Sequence, residues 1–154
     1  MSSGLLFECD EDVIRGLYHL YGSHFKGPMK YDKAIGVLSN GALAGAIVLH
    51  NWNGWNLELS YYGKRTLTAG IVRCLARFAI CTFDLSRVTV VTSKRNRRLM
   101  RSLQRIGWRI EGIQRCYYGV NDTVRNTGVR FVMFREQIEK IAHLKDSKPD
   151  SIRC

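Results

Sequence analysis

Acidic residues are scarce: 13 Asp and Glu stand against 24 Lys and Arg, a formal net charge of +11 over 154 residues. That imbalance points to an anionic partner: nucleic acid, an acidic protein or a phosphorylated cofactor. Proline is nearly absent, with only Pro28 and Pro149, so no proline-rich linker divides the chain. No apolar run approaches the ~20 residues of a membrane-spanning helix. The start, MSSGLLFECDEDV, lacks a basic segment and meets acids before any long apolar stretch. Neither a signal peptide nor a membrane anchor is expected, and the reading is a soluble, cytoplasmic protein. Five cysteines (Cys9, Cys74, Cys81, Cys116, Cys154) are an odd number with no CxxC pair. Reduced thiols are expected, with no disulfide framework and no metal site. With 45% hydrophobic and 10% aromatic residues, the chain has ample apolar surface to fold. One domain over 1–142 is expected, followed by a polar, flexible tail over 143–154.

The periodicity alternates between strand and helix. Leu5–Cys9 reads as a strand, and Asp10 as the N-cap of a helix carrying Val13, Ile14, Leu17, Tyr18 and Tyr21, stopped at Gly22. Lys33–Ser39 and Ala42–His50 flank Asn40-Gly41, a turn pair that accepts positive φ at both positions. The connection Asn51–Trp55 leads to a third strand, Asn56–Tyr62, completing an antiparallel meander. Leu67, Ile71, Val72, Leu75, Phe78 and Ala79 then mark a helix. Val88–Thr92 is a buried strand parallel to its neighbour, because a helix precedes it. Leu99, Met100, Leu103 and Ile106 mark another helix ended by Gly107, and Trp108–Tyr117 and Val129–Phe134 are the last strands. The order β-α-β-β-β-α-β-α-β-β gives an α/β chain with a mixed sheet and helices on both faces.

Two stretches carry candidate chemistry. In LELSYYGKRTLTAGIVRCLARFAI a hydroxyl-rich, glycine-bearing turn feeds a helix start, where unpaired N–H groups and the dipole favour anions. Lys64 and Arg65 add charge there, and Thr66 and Thr68 add hydroxyls. A plain N-cap beside a solvated basic pair is the alternative. Neither a Walker loop nor a dinucleotide fingerprint is present. In TSKRNRRLMRSLQRIGWRIEGIQR, seven of the sixteen residues from Lys94 to Arg109 are basic. Arg98, Arg101 and Arg105 share a helical face that suits phosphate or nucleic acid, or simply solvent.

The meander, the loop GKRTLTAG, and Asn96 followed by Gly107-Trp108 and Glu111-Gly112 resemble the GNAT superfamily of N-acetyltransferases. The ending, with Arg115 and Asp122, is similar to the branch of ribosomal-protein N-terminal alanine acetyltransferases. The resemblance spans roughly Lys33 to Phe134. The family's coenzyme loop reads Gln/Arg-x-x-Gly-x-Gly/Ala, and here Gly63, Thr66 and Thr68 hold those positions. The resemblance implies acetyl-CoA, or another acyl-CoA, as co-substrate. It places the coenzyme against Tyr61, Tyr62, Gly63, Lys64, Arg65, Thr66, Leu67, Thr68 and Ala69, with Asn96, Arg97 and Arg98 at the next helix start. It implies direct transfer of the acyl group to an amine, with a bulge near Ser60–Tyr62 splaying the sheet.

A lysine amine, with a pKa of about 10.4, must lose a proton before it attacks a thioester. Glu58 is the meander-strand acid placed to take it; pairing with a basic residue is its other reading. The position of the family's acidic tyrosine is Leu103, which leaves Tyr117, Tyr118, Tyr61 or Tyr62 as donors, with Tyr117 the chosen candidate. His50 ends a strand and reads either as a base or, with no carboxylate nearby in sequence, as a solvent-edge residue, the reading favoured. Trp52 and Trp55 read either as a partner-binding patch or as packing against the first helix. An acidic protein acceptor and a homodimer through the last strands are compatible with this reading. Short copies of this kind also occur in phage genomes, which would place the protein in a host cytoplasm. Two other functions are open: a catalytically weak GNAT-like module that docks on and regulates another protein, and a nucleic-acid binder using the Arg98, Arg101 and Arg105 face.

Overall fold

The computed structural model describes residues 3–22, 25, 30–63 and 67–143. Seven strands and four helices follow one another: β1 (Ser3–Leu6), α1 (Asp10–Tyr21), β2 (Lys33–Ser39), β3 (Ala42–His50), β4 (Asn56–Gly63), α2 (Ala69–Phe83), β5 (Arg87–Ser93), α3 (Arg97–Arg105), β6 (Arg109–Gln114), β7 (Gly128–Phe134) and α4 (Arg135–Ala142). The strands form one mixed sheet in the order β1-β2-β3-β4-β5-β7-β6. Every neighbouring pair is antiparallel except β4 and β5. The mixed α/β architecture is therefore the one expected, with the meander in place and β5 parallel to β4.

The turns obey the local chemistry. Asn40 and Gly41 both take positive φ, 52° and 79°, closing the β2–β3 hairpin. In the next connection the Asn53 side chain accepts from the backbone N–H groups of Trp55 and Asn56, an Asx turn that hands the chain to β4.

Several expectations need correction. The first strand lies at Ser3–Leu6 instead of Leu5–Cys9. Asp10 is not the N-cap: Cys9 holds that position without a side-chain cap. The Asp10 carboxylate instead accepts from the Ala34 amide at 2.6 Å and pairs with Lys33 at 3.6 Å, tying the start of α1 to β2. The bulge expected near Ser60–Tyr62 is absent, since the β3–β4 register runs unbroken from Gly45–Gly63 to His50–Glu58. A fourth helix, α4, follows the last strand, a segment the sequence reading left unassigned. Trp52 and Trp55 part company: Trp52 stacks edge-on against Phe83 at the end of α2, 5.5 Å between centroids, while Trp55 is exposed.

Two apolar layers cover the sheet. Beneath α2 and α4, residues including Ile35, Ile47, Leu57, Ile71, Leu85, Met133 and Ile138 form the larger core. Beneath α1, Val13, Leu17, Phe25, Ala34, Ala46 and Val48 form the smaller one. α4 is locked by polar contacts as well. Arg135 bonds Asp84, and Arg77 Nε donates to the Ala142 carbonyl at 3.0 Å. Among the described residues there is no disulfide, and no helix is long and apolar enough to cross a membrane.

Candidate active site

Strand alternation gives β4 two different faces. Leu57 is fully buried against α2, so Glu58, Ser60 and Tyr62 point to the α1 face. The register sets His50 opposite Glu58 on β3, and Thr89 opposite Glu58 on β5. Arg130 lies opposite Val91, two residues further along β5 and on the same face. Four strands thus deliver a polar group to one patch that α1 does not share with the smaller core.

The Glu58 carboxylate is the centre of that patch and only 17% exposed. Arg130 lies 3.1 Å from one oxygen; Asn51 Nδ2 donates to the other at 2.9 Å. His50 Nδ1 stands 3.6 Å from that second oxygen, and His50 Nε2 is 2.9 Å from Ser60 Oγ. The imidazole is not at the solvent edge: its side chain is 12% exposed. Burial lowers the pKa of His50 below its usual 6.5, against the opposing pull of Glu58 and Asp32. A neutral ring results at neutral pH. The sequence reading paired Glu58 with a base in general but missed His50 and Ser60 as its neighbours. The signal was present in the hairpin register, because the five-residue connection fixes which residue faces Glu58.

Aromatic hydroxyls border the patch. Tyr117 and Tyr118 stack edge to face, 4.8 Å apart, and the Tyr118 hydroxyl donates to the Val91 carbonyl at 3.2 Å. Burial raises the pKa of Tyr117, with Glu58 adding to the rise and Arg130 opposing it. Tyr118 is pushed up to about 12, chiefly by burial. Tyr62 is raised by burial while its hydrogen bond with Ser60 pulls the other way. All three hold their protons at neutral pH. Tyr61 lies on the opposite face, against the α2 core, so the structure separates it from Tyr62.

The second half of the site is the opening between β4 and β5. Their parallel pairing covers only Asn56, Leu57 and Glu58, opposite Arg87, Val88 and Thr89. Beyond Glu58, β4 keeps β3 on one side and has no strand register with β5 on the other. On the last paired rung, opposite Glu58, Thr89 Oγ1 is buried without a hydrogen-bond partner among the described residues. Beyond Gly63 the chain runs toward α2; Lys64, Arg65 and Thr66 lie outside the described residues. Leu67 is half-buried, whereas Thr68 and Ala69 are exposed. Thr68 is the N-cap, its side chain accepting from the Ile71 amide at 3.3 Å. The first turn of α2 carries no acid, unlike the first turn of α1 with Asp10, Glu11 and Asp12. Among the described residues, no acidic side chain of its own first turn offsets the positive end of α2.

Asn96 caps α3 in the same manner, accepting from Leu99 N at 3.2 Å, and Arg97 and Arg98 are exposed beside it. Arg101 and Arg105 are exposed as well, and α3 fully buries none of its residues. A cavity of about 370 Å³ opens next to this helix start, lined by Ser93, Arg95, Asn96, Tyr118, Arg125 and Asn126. Neither Arg95 nor Arg125 pairs with an acid among the described residues. Of the lining residues, sequence reasoning had marked Asn96 and Tyr118. The stretch of Arg125 and Asn126 carries no motif and is brought in by its position just before β7.

No protein-family model matches the chain, and no curated protein sequence matches it. Solved structures do. A spermidine/spermine N-acetyltransferase from Vibrio cholerae superposes with a TM-score of 0.68 at 12% identity, covering 90% of this chain and 98% of that one. An IAA acetyltransferase from Bacillus cereus gives 0.65 at 19% identity, covering 86% and 99%. A GNAT-family acetyltransferase from Bacillus anthracis gives 0.53 at 16% identity, covering 67% and 66%. The fold is the GNAT acetyltransferase fold. The finer resemblance to the ribosomal alanine acetyltransferase branch gains no support from these structures.

Proposed function

We propose that the chain is an acetyl-CoA-dependent N-acetyltransferase. The observation that carries this is the opening of the sheet immediately after Glu58, on a strand that leads to a helix start free of acidic charge. A long, polyanionic thioester suits that geometry: a narrow gap between strands for its arm, and a dipole end for its pyrophosphate. Next to the gap, the Thr89 hydroxyl has no partner among the described residues.

In this reading Gly63, Leu67, Thr68 and Ala69, with Lys64, Arg65 and Thr66, bind the pyrophosphate. Asn96, Arg97 and Arg98 face the rest of the coenzyme from α3. The main chain of β4 at Tyr61 and Tyr62 lies against the thioester. When bound, the coenzyme supplies the activated acyl group. Glu58, with His50 beside it, receives the proton that the acceptor amine must lose. Tyr117, protonated and on the Glu58 face, gives a proton to the departing thiolate.

The acceptor carries negative charge near its amine. Arg95 and Arg125, on the wall of the cavity beside Tyr118 and without an acid partner among the described residues, favour an acidic amine or peptide. A polyamine, the substrate class named for the Vibrio protein, would meet like charge there.

Calorimetric titration of acetyl-CoA at two salt concentrations tests the reading. Saturable one-to-one binding in the micromolar range, weaker at high salt, is the expected result. Thiol release should then be faster with an acidic peptide amine than with spermidine. No binding to folded, coenzyme-free protein would overturn the enzyme reading in favour of a scaffold that docks on a macromolecule.

A further inference from the structure

A bulge in β6 sets up a second surface, away from the Glu58 patch. The register passes from Ile110 opposite Phe131 to Ile113 opposite Val129, with Glu111 as the extra residue. In a regular strand Ile110 and Ile113 would face opposite sides; the extra residue turns both to one face. Phe131 and Val129 alternate with Met133, so that face is the one beneath α2 and α4, opposite Glu58. α3 lies on the same side: Gln137 of α4 donates to the Ile106 carbonyl at 3.4 Å, and Trp108 packs against the larger core. Leu99 and Ile106 fall two turns apart on one side of that helix. Leu99, Ile106, Ile110 and Ile113 are between 39% and 60% exposed, and α3 fully buries none of its residues. Single exposed aliphatics are ordinary, but four on two consecutive elements make an apolar face without a partner.

The charge around this face selects its occupant. Arg98, Arg101 and Arg105 run along α3, exposed and without an ion pair among the described residues. No acid occurs between Asp84 and Glu111, and Glu111 is held by Arg87. A second copy of the chain would bring the same arginines against one another, on top of a net charge of +11 on each. A nucleic acid backbone would meet the guanidinium groups but leave the aliphatic side chains unmatched. An added strand would need a continuous row of edge N–H and C=O groups, which the bulge interrupts. An apolar centre beside arginines is complementary to a helix with aliphatic side chains on one face and carboxylates flanking them. We propose that α3 and β6 form a docking surface for an acidic amphipathic helix of a partner protein. The partner sits across the sheet from Glu58, so the surface serves an enzyme and a scaffold alike.

The probe is a fluorescent synthetic peptide of about five helical turns, with leucines along one face and glutamates along the other. Anisotropy titration with the full chain should give saturable one-to-one binding that weakens as salt is raised. A peptide of the same composition with its leucines scattered should bind at least about tenfold more weakly. Ile113→Ser changes an exposed side chain and should weaken binding by about tenfold. Arg101→Glu with Arg105→Glu should weaken it as much and flatten its salt dependence. Both variants should keep the parent's acetyl-CoA affinity, which separates this surface from the coenzyme site. No binding of the probe, equal binding of the two peptides, or an affinity untouched by Ile113→Ser would overturn the proposal. So would a dimer in sedimentation that Ile113→Ser dissolves, or a single-stranded oligonucleotide that binds more tightly than the probe and responds only to the arginine changes. Loss of acetyl-CoA binding in the parent with probe binding intact would overturn the acetyltransferase reading and leave the docking surface standing.

Discussion

Glu58 is held by a guanidinium and an amide, so its loss removes charge from a crowded patch. Glu58→Gln should lower amine acetylation by about a hundredfold, read as thiol release, with acetyl-CoA affinity changed far less. The neighbouring His50 makes folding sensitive to acid. Its folded pKa lies below the ordinary 6.5, because burial outweighs the attraction of Glu58 and Asp32. The folded chain therefore resists protonation that the unfolded chain accepts. That contribution to stability is whole above pH 6.5 and is lost as pH falls through the lower, folded value. The melting temperature of the parent should drop across that interval, and His50→Gln should drop less. Glu58 was legible as a single residue because its strand alternates cleanly with Leu57 and Leu59. His50 and Ser60 were not, since their relation to Glu58 exists only once two strands are aligned.

Helix starts show what an element can announce by itself. Thr68 and Asn96 were visible in sequence and both cap, because a short polar side chain before an apolar period has one favourable use there. Asp10 looked equally convincing but was drawn to the Ala34 amide of β2, a tertiary partner that outbid the local one. For α2, Thr68→Glu places a carboxylate at the exposed helix start. It trades the Thr68 cap for an anion at the dipole's positive end, and should weaken acetyl-CoA binding by about tenfold at low salt, less at high salt, measured by calorimetry. α4 was missed because eight residues give barely two turns of periodicity, with Ile138, Ile141 and Ala142 as its apolar face. Ile138 is 4% exposed in the larger core. Ile138→Ala should destabilise the chain by about 3 kcal/mol in denaturant unfolding, without touching the Glu58 patch.

At the scale of the whole molecule, the excess of basic charge has two separate addresses. Part of it, Arg87 and Arg130, is neutralised internally by Glu111 and Glu58. Another part stands in solvent along α3, beside the cavity with Arg95 and Arg125. Net charge therefore announced an anionic partner but not where it would sit, because composition carries no positions. The strand order was legible for the meander, whose neighbours in sequence are neighbours in space. Insertion of β7 between β5 and β6 was not, since no local signal distinguishes it from a simple succession. The sheet is in effect two zippers laid end to end, β1–β4 and β5–β7, joined by a backbone ladder only three residues long. A coenzyme lying across that joint would act as a rivet, and the free energy of its binding would be spent holding the two zippers together. Amide hydrogen exchange should then slow on β4 beyond Glu58 and along β5 when acetyl-CoA is added, while β2 and β3 exchange as before. The weakest line in the sheet is in this way the line along which a ligand can stabilise it most.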